Sequence, residues 1–136
     1  MLESISATTR QRQHKSTRLH KNSKIITSII RAIQEKKGQR IVSLDLRKIP
    51  EAIADFFIIC EADNSIQIKA IAEHVEEYVK KQVGESPYRQ EGYTALKWVL
   101  LDYVNVVVHI FYPETRQFYK LEEMWSDAEQ TEFPDA

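Results

Sequence analysis

Cysteine and glycine are nearly missing from this chain. Of its 136 residues one is Cys60, and three are glycine: Gly38, Gly84 and Gly92. A single thiol excludes an internal disulfide and a cysteine-rich metal centre, and it fits a reducing compartment. Three scattered glycines cannot make a phosphate-cradling P-loop or a dinucleotide fingerprint. No apolar run approaches the roughly 20 residues that a membrane-spanning helix needs. Histidine is scarce too. His14, His20, His74 and His109 form no HExxH pair and have no cysteine partner, so no metal site is expected. The length predicts one domain, with enough chain to bury a core without staples.

Net charge is also small, −1, but it is unevenly spread. Arg10, Arg12, Lys15, Arg18 and Lys21 stand against Glu3 in residues 1–21, which gives +4 there and leaves −5 for the rest. Such a basic arm suits contact with nucleic acid; the plainer reading is a solvated terminus. Its Arg- and Ser-rich, acid-poor composition is shared by organelle transit peptides, but it lacks their amphipathic face.

What the chain does contain is periodicity. Ile25, Ile26, Ile29, Ile30 and Ile33 recur at helical spacing and predict a helix over 23–37, with Gly38 as its left-handed cap. IVSLDL, 41–46, alternates like a half-buried strand. FFIIC, 56–60, is apolar throughout, as in a strand covered on both faces. Asn64 and Gln67 have the spacing of a capping box, followed by an amphipathic helix over 65–83. Residues 96–102 and 106–112 predict two strands around a tight turn. Leu96, Trp98, Leu100 and Asp102 share one face of the first strand, and Val107, His109 and Phe111 share one face of the second. Pro113 can open a last helix, in which Phe118, Leu121 and Trp125 are helically spaced.

The order α-β-β-α-β-β-α predicts an α/β (α+β-like) fold, a single layered domain with helices packed on a mixed sheet. The step from 56–60 to 96–102 is expected to be a right-handed parallel crossover.

Tests for chemistry fail in turn. A nucleotidyltransferase on a mixed sheet needs paired carboxylates for Mg²⁺, yet neither Asp45 nor Asp102 has a second one two residues on. Glu76-Glu77 and Glu122-Glu123 read as solvated helix faces. Cys60 with His109 as its base is conceivable, but a thiol in the most apolar run of the chain reads as a small hydrophobe. His109 reads as a packed, hydrogen-bonded strand residue. What remains is a cluster of Trp98, Tyr103, Tyr112, Tyr119 and Trp125 with Asp102, Asn105 and Arg116. Those residue types anchor protein interfaces, and they equally suit the core of the sheet's second half.

The segments WVLLDYVNVVVHIF and ETRQFYKLEEMW, with KKGQRIVSLDLRKI, ADFFIICEADNSIQIKAIAEHV and EGYTALKWVLLDY before them, resemble the ribosomal silencing factor family, also called Iojap. The resemblance runs from Ser23 to Asp127. It leaves 1–22 as a basic arm and 128–136 as a tail. It implies a nucleotidyltransferase-like fold without the catalytic carboxylates, hence no enzyme and no cofactor. It further implies a cytosolic bacterial protein that binds protein L fourteen of the large ribosomal subunit, hinders subunit joining and slows translation when nutrients are scarce. Self-association is implied as well, and ribosomal RNA is within the reach expected of the arm. By position, the family's motif residues match Asp55, Trp98, Asp102, His109, Arg116, Tyr119, Leu121 and Trp125. On this reading Trp98 is a buried anchor, and Asp102 and Arg116 are polar contacts that orient the partner.

The family's hairpin tip usually carries Gly-Asp, where this chain has Val104-Asn105. β-Branched Val resists positive φ, so a type I turn from Asp102 to Asn105 is expected. The neutral Asn105 also removes an acidic charge from the tip. EADNS stands where a glycine-containing loop is usual.

Overall fold

A computed structural model describes residues 19–20 and 23–135. Arm residues 1–18, 21 and 22 lie outside the described residues. The elements are α1 (Lys24–Glu35), β1 (Gln39–Asp45), β2 (Phe56–Glu61), α2 (Ser65–Val83), β3 (Arg89–Glu91), β4 (Trp98–Asp102), β5 (Val106–Phe111), α3 (Pro113–Tyr119), α4 (Leu121–Met124) and β6 (Glu129–Phe133). The six strands form one sheet in the order β3-β4-β5-β2-β1-β6. β2 and β5 run parallel at its centre, with Phe56 opposite Val106 and Glu61 opposite Phe111. Every other neighbouring pair is antiparallel.

The expected mixed sheet is therefore present, but its crossover is not the one predicted. The parallel partner of β2 is β5, and β4 lies beyond β5. Burial explains the exchange. All six residues of β5 are buried, which suits a central strand, whereas Trp98 and Leu100 leave β4 partly exposed.

One face of the sheet lies under α1 and α2. Ile25, Ile26, Ile29, Ile30 and Ile33 of α1 and Ile68, Ile71, Val75 and Val79 of α2 pack with Phe56, Ile58, Cys60, Val108 and Ile110. Each fully buried Ile stabilises the fold by about 1.5–3 kcal/mol. Asn64 caps α2 as predicted, its side chain accepting from the Gln67 N–H at 2.8 Å. The reciprocal half of the box does not form. Gln67 Nε2 instead donates to the Lys36 and Lys37 carbonyls at 3.2 and 3.1 Å, satisfying the exposed end of α1. The left-handed residue after α1 is Lys37 (φ 64). Gly38 answers a different constraint, since a Cβ there would collide with Ile33 Cγ2.

Among the described residues, the other face has no long helix. Val42, Leu44, Phe57, Ile59, Val107 and Phe111 are covered by Leu46, Ala52 and Ala54 of the β1–β2 connection and by Leu121, with Trp98, Leu100 and Trp125 at its margin. Lys120, at φ 50, breaks the predicted last helix into α3 and α4. The segment expected as a tail from 128 contains β6, which pairs along β1 from Ile41↔Phe133 to Asp45↔Glu129.

Candidate functional site

The predicted site residues fall into three groups. Asp55, Asp102 and Asn105 gather at the hairpin-tip end of the sheet. Asp102 is 2% exposed, and its Oδ1 accepts from the Val104 N–H at 2.8 Å. Val104 adopts φ 79, and the Asn105 N–H donates to the Tyr103 carbonyl at 3.0 Å. That is a γ-turn centred on Val104, not the expected type I turn. The strain is held from both sides: by the Asp102 carboxylate, and by the Asn105 carbonyl, which accepts from the N–H groups of Asp55 and Phe56 at 2.9 and 3.1 Å. The Asp55 carboxylate accepts from the Leu19 N–H at 3.3 Å, beside the entry of the arm. Asp102 therefore builds the turn from a buried position.

Arg116 is likewise internal, 4% exposed. Its Nη1 donates to the Arg40 carbonyl at 2.8 Å and to Glu61 at 3.1 Å, and its Nη2 meets Glu122 at 2.8 Å. One guanidinium thus ties α3 to β1, β2 and α4, a fork that Lys could not reproduce. In the fold Arg116 therefore braces the start of the last helical segment.

The third group is aromatic and forms a continuous layer. Trp98 stacks obliquely on Phe111 (centroids 4.9 Å apart) and on Tyr119 (4.8 Å). Its Nε1 donates to His109 Nδ1 at 3.0 Å. His109 meets Phe57 edge-on at 4.6 Å, and Phe57 meets Trp125 at 6.1 Å. Leu121 is buried beneath this layer. At its outer side Tyr119 is 47% exposed, and Phe118, edge-on to Tyr119 at 5.0 Å, is 77% exposed. Contiguous exposed apolar surface of this kind marks a binding face. Leu100 and Phe118 belong to it without having been assigned to the site from the sequence, although both were legible as periodic apolar positions: Leu100 alternates with Trp98, and Phe118 is helically spaced with Leu121 and Trp125. Gly92, at φ 92, lets β3 turn back against this strand: a Cβ there would collide with the Trp98 carbonyl.

Two titratable groups of the central strands are silenced by burial. Desolvation pushes the His109 imidazole down to about 3 and the Cys60 thiol up to about 12. Cys60 stands opposite Ile110 and Ile59 opposite His109 in the β2–β5 register. Neighbouring side chains on a strand point to opposite faces, so the sheet itself separates this thiol from this imidazole. Among the described residues no three His, Cys, Asp or Glu side chains lie together as a metal site, and no helix is long and apolar enough to cross a membrane.

Fold and site together define a class: a small α/β domain on a mixed sheet, one face sealed by two helices and the other a half-covered aromatic layer. The chain belongs to the ribosomal silencing factor family, whose model, described as "Ribosomal silencing factor during starvation", matches residues 19–136. The ribosomal silencing factor of Halalkalibacterium halodurans is 37% identical over 82% of this chain and 93% of its own. That of Bacillus subtilis is 35% identical over 79% and 90%. The chloroplastic Iojap protein of Zea mays is 36% identical over 79% of this chain, which spans 46% of the maize protein. Among solved structures, a Chromobacterium violaceum protein superposes with a TM-score of 0.70 at 32% identity, covering 75% of this chain and 83% of that one. A Bacillus halodurans protein gives 0.70 at 33%, covering 82% and 100%.

Proposed function

We propose that this protein silences ribosomes by docking, without catalysis, on the large subunit. The aromatic face would seat on protein L fourteen, on the side that meets the small subunit, and so hinder subunit joining when nutrients are scarce. The supporting observation is the aromatic run Trp98–Tyr119–Phe118, exposed at its outer side on the sheet face opposite α1 and α2. Trp98 is its centre, half-buried and fixed, as anchoring side chains are. Tyr119, Leu100 and Trp125 flank it. Asp102, Asn105, Asp55 and Arg116 serve by bracing the sheet ends. The site of action would be the cytosol of a bacterium.

Cosedimentation with isolated large and small subunits tests this reading. Wild-type protein should pellet with the large subunit alone. Trp98→Ala should lose about 2 kcal/mol or more of binding, roughly 30-fold, while its circular dichroism stays native. Undiminished pelleting of the variant would remove the anchor, and pelleting with neither subunit would remove the function.

The excess of +4 in residues 1–21 favours a second contact, with ribosomal RNA. Deleting 1–21 should then weaken binding and flatten its salt dependence. Self-association through the same open face would compete with docking, and it would appear as a dimer in sedimentation that the large subunit dissolves.

A further inference from the structure

His109 lies beneath the docking face and cannot touch a partner. It is 3% exposed, on the central strand β5, opposite Leu100 of β4. Its Nδ1 is 3.0 Å from Trp98 Nε1. An indole nitrogen can only donate, so Nδ1 must be the unprotonated nitrogen and the ring's proton sits on Nε2. That Nε2 is buried and has no hydrogen-bond partner among the described residues. Rings surround it: Phe57 edge-on at 4.6 Å, and Phe111 nearly parallel at 6.2 Å and 12°.

An apolar side chain would pack this slot without the unpaired Nε2. What only the imidazole supplies is an acceptor under the inner edge of the indole. Stacking on Phe111 and Tyr119 holds the indole by broad ring contacts. The N–H···N bond adds a directed contact at its inner edge.

We propose that His109 is a positioning residue, whose neutral ring accepts from Trp98 Nε1 and thereby holds the indole in its docking orientation. This inference rests on the docking role of Trp98 proposed above and adds the device that pre-organises it. A pre-set anchor spares the complex the ordering of a large side chain, which is where pre-organisation gains affinity. The fall of the His109 imidazole to about 3 agrees, since it keeps the ring neutral at any physiological pH.

The test compares the full-length chain with His109→Asn and His109→Leu. The Asn amide oxygen can accept from the indole; Leu fills similar space without an acceptor. Two quantities are read on each protein: the solvent exchange rate of the Trp98 indole proton by NMR, its signal identified with Trp98→Phe, and cosedimentation with isolated large subunits. The Leu variant should remain folded, exchange the indole proton about tenfold faster, and bind roughly fivefold to tenfold more weakly. The Asn variant should restore both toward wild type. A Leu variant that binds like wild type overturns the proposal. So does equal loss in Asn and Leu, which would make packing rather than the acceptor responsible. His109→Met replaces Leu should Leu not fold. Wild-type protein that does not bind the large subunit sinks the docking reading, and the indole exchange rates still decide separately whether His109 holds the ring.

Discussion

Acid should unfold this protein through one imidazole. His109 is sealed in the fold and held down to about 3 by desolvation, whereas in the unfolded chain it titrates near its ordinary 6.5. Below pH 6.5 the unfolded chain takes up a proton that the folded protein refuses, so unfolding becomes more favourable. Its contribution is intact above that pH and is lost as pH falls toward 3. At pH 5 the gap to the unfolded value is about 1.5 units, and at about 1.36 kcal/mol per unit the loss is about 2 kcal/mol. Urea unfolding at pH 7.5 and pH 5.0 measures it, and with ordinary m-values the midpoint should fall by about 1–2 M. The comparison protein is His109→Asn, which cannot titrate. It should be less stable at both pH values because it is smaller, but its stability should change by about 2 kcal/mol less between them. Asp45, held below its ordinary 3.8 chiefly by its hydrogen bond with the Arg47 side chain, gives stability that is present above 3.8 and lost below it. It is outside this window and common to both proteins. Equal acid losses in the two proteins would refute the argument, because they would mean that His109 is solvated or charged in the fold.

Arg116→Ala should cost about 3 kcal/mol, because buried Glu61 keeps only the longer ion pair with Arg40 at 3.8 Å; Arg116→Met, with Glu61→Leu beside it, should recover most of that loss in thermal melts. Gly92→Ala collides with the Trp98 backbone and needs a positive φ; a loss of about 2 kcal/mol or more, with a shifted Trp98 emission, is expected. Val104→Gly relieves φ 79 at the hairpin tip and should leave stability unchanged or raise it by up to about 1 kcal/mol, the gain being limited by glycine's entropy in the unfolded chain. Gln67→Ala removes two hydrogen bonds to the end of α1 and should cost about 1 kcal/mol in chemical denaturation.

Much of this architecture is written as local periodicity, and what was missed is not local. The isoleucines of α1, the face of α2 and the alternation of β4 announce themselves because burial follows the helix and strand repeats. β3 is RQE and β6 is EQTEF. Both are short edge strands without an apolar face, so no period exists to read. The central place of β5 depends on how strands compete for burial, which is settled only when all six are present. Asp102 and Arg116 took their partner-contact role from the family resemblance; the Val104 amide and the Glu61 and Glu122 carboxylates that they meet inside the fold are matters of tertiary placement. The Trp98–His109 bond is a diagonal cross-strand contact, visible only once Leu100 is known to oppose His109. Positive φ at Lys37, Val104 and Lys120 is silent in the sequence, since none of these residues is a usual choice there.

The strand order also sets a sequence of assembly. Joining Val106–Phe111 to Trp98–Asp102 closes a loop of a few residues, whereas setting Glu129 beside Asp45 closes one of 84, the difference of their numbers. By the logarithmic cost of loop closure the second step is dearer by about 2–3 kcal/mol before any strand contact is made. The β4–β5 hairpin, with its aromatic layer, should therefore form early, and β6 should close the outer edge of β1 last. Refolding should accordingly be slower than in helical proteins of this size, because sequence-distant strand pairs govern the barrier, and the docking face should take shape before the far edge of the sheet is sealed.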